Sequence, residues 1–194
     1  MNSNLISNIL RFIGLILIQV LVLNNINFMG YVNPYLYILF LLLYPFNTNQ
    51  SLFLFLAFLL GLSVDIFEDS GGIHAAACLV AAFVRPNLLR FSFGISYDHQ
   101  TLRLSATPLG ARISYVVLMV TIHHLVLFSL EMFSFSHIIL VLKKTLFSGI
   151  FTVIVILLSI ALFSKKYRWE EFCYTLLSLP PGSFFWAGFF TYKL

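Results

Sequence analysis

Charge is the scarcest commodity in this chain of 194 residues: only 9% are Asp, Glu, Lys or Arg, against the quarter or so that a soluble globular domain carries. That shortage excludes a water-soluble fold, because 60% of the residues are hydrophobic, 22 are Phe and the mean hydropathy is +0.98. Cysteine is also rare. The two present, Cys78 in an apolar run and Cys173 in the polar tail, are expected in opposite environments, which excludes a structural disulfide. No HExxH occurs, and the adjacent His123 and His124 point about 100° apart on a helix, so the spacing of a helical zinc site is missing. A net charge of +4 spread among loops fits a membrane edge and excludes a nucleic-acid face.

What remains is long apolar runs. A helix needs roughly 20 mainly apolar residues to cross a bilayer core. Six candidates follow: Leu5–Leu23, Tyr35–Phe46, Leu52–Ile66, Ile73–Val84, Ile113–Leu130 and Leu146–Phe163. The second and fourth are short. Arg11 followed by Phe12–Leu23 has the look of a secretory signal, yet Asn24-Asn25-Ile26-Asn27 offers no small-residue cleavage site, and a retained helix is expected. With the N-terminus inside, nine basic residues (Arg11, Arg85, Arg90, Arg103, Arg112, Lys165, Lys166, Arg168 and Lys193) fall on the cytoplasmic side and two, Lys143 and Lys144, outside. Both termini are therefore predicted to be cytoplasmic.

The expected domain is a six-helix transmembrane bundle over residues 1–164, followed by a cytoplasmic or interfacial tail over 165–194. In that tail Pro180-Pro181-Gly182 divides Phe172–Phe190 into pieces too short to cross. The polar connector from Pro86 to Arg112 alternates Phe91, Phe93, Leu102 and Leu104 with polar residues, the pattern of an interfacial contact surface or a solvated basic loop.

Against this background GLSVDIFEDSGGIHAAACLVAAFVRP, residues 61–86, stands out by gathering Asp65, Glu68, Asp69 and His74. Ser70-Gly71-Gly72 predicts a turn between two helices. Glu68 and Asp69 then precede the next helix, whose positive dipole end favours carboxylates. Asp65 lies deeper, and an ionisable group inside a span is a site candidate by default, with His74 its expected partner. Lining one face of the fifth span, His124 and Glu131 stand seven residues apart, with Ser114 and Thr121 nearby; interhelical hydrogen bonding is the favoured role. Ala75, Ala76, Ala77, Ala81 and Ala82 predict close helix packing. These residues supply no nucleophile, so no catalytic group, metal or cofactor is expected.

The stretch from Gly61 to Pro86 resembles the motif region of the rod shape-determining protein MreD family, through Gly61, Asp65, Phe67, Gly72, His74, Ala75, Arg85 and Pro86. IHHLVLFSLEMFSF, residues 122–135, is similar to a second segment of that family, and the likeness covers about residues 5–165. It implies a non-catalytic, multi-pass component of the bacterial cytoplasmic (inner) membrane within the cell-elongation machinery. Its implied partners are an MreC-like scaffold protein and, indirectly, MreB-like filaments and peptidoglycan synthases. The implied fold is similar to the six-helix substrate-binding subunits of energy-coupling-factor transporters, which makes a small-molecule-binding membrane subunit the alternative. Asp65, His74, Arg85, His124 and Glu131 are the residues expected to make partner or structural polar contacts.

Overall fold

The computed structural model describes residues 2–25, 33–45, 49–94, 107–133 and 138–177, excluding the side chains of 2–5, 25 and 163–177. Among them the regular structure is all helical: α1 (Asn2–Leu21), a 3₁₀ turn (Leu23–Asn25), α2 (Ile38–Leu43), α3 (Gln50–Glu68), α4 (Ile73–Phe93), α5 (Leu109–Met132) and α6 (Ile138–Leu177). Among the described residues four stretches are long and apolar enough to cross a membrane: Gln50–Glu68, Ile73–Phe93, Leu109–Met132 and Ile138–Leu162. Ile6–Leu21 of α1 is apolar but shorter. The chain is an all-α membrane protein, and it divides into two compact units, Met1–Leu158 and Ser159–Leu194. In the second unit the helix continues to Leu177; the predicted Pro-Pro-Gly break lies outside the described residues, as does the middle of the polar connector, residues 95–106.

Two expected spans change shape. The run Tyr35–Phe46 holds only the six-residue α2, about 9 Å of helix against the roughly 30 Å of a hydrocarbon core. The fourth expected span ends at Val84 by its hydropathy, but α4 continues through Pro86 to Phe93. Pro86 has no N–H to give the carbonyl of Ala82, four residues back. Gln50, at the start of α3, donates its Nε2 to that carbonyl at 3.3 Å, so the freed acceptor is satisfied from a neighbouring helix.

Within the first unit successive elements alternate in direction. Gln50 meets Ala82 and Asp65 meets His74, so α3 and α4 are antiparallel. Arg85 reaches Tyr115 and Cys78 approaches His123, which makes α5 antiparallel to α4. Thr152 meets His124 and Lys144 meets Glu131, which reverses the direction again. At Gly61 α3 touches α4 most closely: a Cβ there would lie 2.5 Å from the Ala75 Cα and from the His74 carbonyl oxygen. The alanine-rich face is the other half of this contact. Ala75, Ala77, Ala81 and Ala82 are all buried.

Segment 33–45 is the buried centre, with Tyr37, Ile38, Leu41 and Leu42 wholly inaccessible. Non-helical backbone survives at membrane depth only where protein groups satisfy it. Polar side chains do so here. Gln19 Oε1 accepts from Leu36 N at 2.8 Å and its Nε2 donates to the Pro34 carbonyl at 3.2 Å. Thr152 Oγ1 accepts from Tyr35 N at 3.2 Å. At the other end the Arg85 guanidinium donates to the Tyr44 carbonyl.

Candidate functional site

Asp65 is the capping group of α4. Its Oδ1 accepts from His74 N at 3.0 Å and from the Ser70 hydroxyl, and its Oδ2 accepts from Ala75 N at 2.8 Å. A carboxylate held by two backbone N–H groups at a helix start is stabilised by direct bonds and by the helix dipole. This reverses the expectation for the three acids. Asp69 takes the left-handed conformation that ends α3, with φ 51°, and Glu68 leaves the cap to pair with a side chain. The reason is geometric: Asp65 sits one turn below the end of α3, where the α4 amides point, whereas Glu68 projects beside them.

His74 is the junction of a buried polar chain. Its Nε2 lies 2.8 Å from Glu68 Oε2, and its Nδ1 lies 2.7 Å from the Tyr37 hydroxyl. That hydroxyl is also 3.0 Å from His123 Nε2, which Cys78 Sγ approaches at 3.9 Å. Thus Asp65 meets the backbone of His74 rather than its imidazole. His123 Nδ1 has no hydrogen-bond partner among the described residues, although His123 is completely buried.

His124 faces another way, as the 100° step requires. Its Nδ1 donates to the Val120 carbonyl at 2.9 Å, because that oxygen can only accept. Nε2 is then a bare acceptor, and Thr152 donates its hydroxyl to it at 3.2 Å while receiving Tyr35 N. His124 thereby links α5 to α6. Glu131 does not join it. That carboxylate pairs with Lys144 at 2.7 Å, and the Lys144 ammonium lies 5.6 Å from the Phe128 ring centre. Thr121 turns away from the core and bonds back to the Val117 carbonyl.

Arg85, only 4% exposed, binds far from His74. Besides the Tyr44 carbonyl it donates Nε to the Tyr115 hydroxyl at 3.0 Å, and its guanidinium lies 4.6 Å from the Phe53 ring centre. One side chain thereby ties segment 33–45, α3, α4 and α5 together.

Next to the α3–α4 turn is a cleft of about 480 Å³, whose polar lining is Asn33, Tyr35, Glu68, Ser70, His74 and Glu131. The described residues contain no group of three His, Cys, Asp or Glu placed to hold a metal ion. Tyr37 and His123 were not expected in the site. Polar atoms in apolar runs were the available signal, but nothing in their spacing links positions 37, 74 and 123.

These features define a helical membrane protein with a buried polar network opening on one cleft. Compared with protein-family models, with curated proteins and with solved structures, the chain has no match.

Proposed function

We propose that the protein is a non-catalytic, multi-pass component of a bacterial cell-elongation machinery, an MreD-like scaffold joining an MreC-like protein to MreB-like filaments and peptidoglycan synthases. Segment 33–45 completes six passes in this reading, an incomplete helix running between Gln19 at one end and Arg85 at the other, with both termini cytoplasmic. One observation carries it: the signature residues Gly61, Asp65, His74 and Arg85 are all buried in helix contacts or backbone bonds. A signature that builds a rigid bundle suits a protein whose work is to present surfaces to partners.

Mild-detergent purification from the source cell tests the reading. An MreC-like protein is expected to co-elute, and depletion of the chain is expected to round rod-shaped cells. Neither association nor shape change would refute it. The cleft favours a second reading, a small-molecule-binding membrane subunit of transporter type. That reading expects a bound metabolite in native mass spectra of the purified chain, lost in Glu68→Leu.

A further inference from the structure

The three links Glu68–His74, His74–Tyr37 and Tyr37–His123 measure 2.8, 2.7 and 3.0 Å. A carboxylate can only accept, so His74 Nε2 donates to Glu68. In neutral His74 the Nδ1 is then bare and accepts the Tyr37 O–H. The Tyr37 oxygen accepts in turn from His123 Nε2–H, which leaves His123 Nδ1 as a bare nitrogen. That nitrogen is the buried atom without a partner. When His74 carries a second proton the two inner links reverse, while Nε2 still donates to Glu68: Nδ1 donates to Tyr37, Tyr37 donates to His123 Nε2, and the hydrogen of His123 resides on Nδ1. With Glu68 ionised and Tyr37 and His123 both neutral, these two arrangements are the ones that pair all three links.

We propose that Glu68, His74, Tyr37 and His123 form a proton relay between the cleft beside the α3–α4 turn and the bundle centre, with His123 Nδ1 as its inner port and water as the carrier there. A proton arriving at the port forms an N–H bond at Nδ1. The Nε2 proton of His123 passes to the Tyr37 oxygen as the proton of Tyr37 passes to His74 Nδ1, so the tyrosine holds no net charge. The Nε2 proton of His74 then moves to Glu68, which borders the cleft and is partly exposed there. One proton enters, one leaves, and no electron is moved. The chain is left pointing the other way, and a proton entering through Glu68 resets it by driving the Nδ1 proton of His123 out at the inner port.

Neighbouring titratable groups do not divert this path. Asp65 and Glu68 of α3, Tyr35 of the same segment and Cys78 of α4 face Tyr37, while His74 and His124 face His123. The oxygens of Asp65 are taken by Ser70 and two amides, and His124 by Val120 and Thr152. Glu131 is occupied by Lys144. Among the described residues Cys78 Sγ is the remaining one of these groups near a side-chain atom of the relay, 3.9 Å from His123 Nε2.

Ring-nitrogen NMR of the full chain in lipid bilayers, with labelled histidine, tests the relay through a pH titration. The hydrogen of His123 is expected to move from Nε2 to Nδ1 in the same step in which His74 gains its second proton. In Tyr37→Phe that linkage is expected to be lost, with His74 titrating while His123 keeps its tautomer. A His123 signal indifferent to His74 in the unmodified chain overturns the proposal, as does linkage that persists in Tyr37→Phe. If that variant does not fold, the unmodified chain decides the matter by showing one linked step or two independent ones.

Discussion

Gly61 and Asp65 sit one turn apart on α3 and hold the same partner, the first turn of α4, by opposite means. Gly61 contributes by having no side chain. In Gly61→Ala the new methyl would meet backbone at 2.5 Å, which cannot turn aside as a side-chain tip can. Separation of α3 from α4 is expected, at about 1–3 kcal/mol, read as a lower temperature of aggregation in detergent. Asp65 contributes a charge. Asp65→Ala leaves the amides of His74 and Ala75 without their acceptor, and a loss of about 0.5–2 kcal/mol is expected. Asp65→Asn keeps one acceptor oxygen and is expected to retain part of that stability in the same assay. Equal stability of Ala, Asn and the parent would show that the cap contributes nothing.

At the scale of elements, the interior is organised around backbone that cannot satisfy itself. Pro86 frees the Ala82 carbonyl inside α4, and Gln50 answers it from α3. Gln50→Leu leaves a buried carbonyl unpaired, with an expected cost of about 1–3 kcal/mol. Pro86→Ala restores the missing N–H, so in the double variant the cost of Gln50→Leu is expected to shrink towards zero. A double-mutant cycle of thermal stabilities checks this, and strict additivity of the two changes would exclude the pairing. The same logic explains segment 33–45. Its extended residues and six-residue helix leave donors and acceptors that Gln19, Thr152 and Arg85 supply. Gln19 weakens the apolar run of the first helix by hydropathy, and in the fold it is completely buried. The polar residue that dilutes one helix is the one that stabilises another segment.

For the whole molecule, the alternation of element directions leads to a topology test. If segment 33–45 completes a pass, reporters fused after α1 and after α3 report one side of the membrane, while those before α3 and after α4 report the other. Reporters at both termini are expected on the cytoplasmic side. A reporter before α3 that matches the one after α1 would remove the second pass and the six-pass arrangement with it.

Much of the bundle was legible from the sequence because apolar runs, turn residues and small residues act locally. Ser70-Gly71-Gly72 placed the turn, and the alanines marked the close face. The length of α4 was not legible, since Pro86 reads as a stop until a partner for Ala82 is known. Nor was the shortness of α2: its apolar run continues past the residues that are helical. At the site, the residue types at 65, 74, 85 and 124 announced buried polar contacts, but their partners had to be found in three dimensions. Glu131 and His124 share a helix face and still bind different neighbours, because α6 offers Lys144 to one and Thr152 to the other.

By itself, then, the sequence determined that this chain is a helical membrane protein and where its α3–α4 turn lies, since solvent preference and turn chemistry depend on residues within a few positions of each other. Tertiary structure alone decided that Asp65 caps α4, that Glu68 pairs with His74, and that Tyr37 joins His74 to His123. Hydrogen bonds act over about 3 Å in space, and residues 37, 74 and 123 come within that distance only when segment 33–45 is buried between α4 and α5.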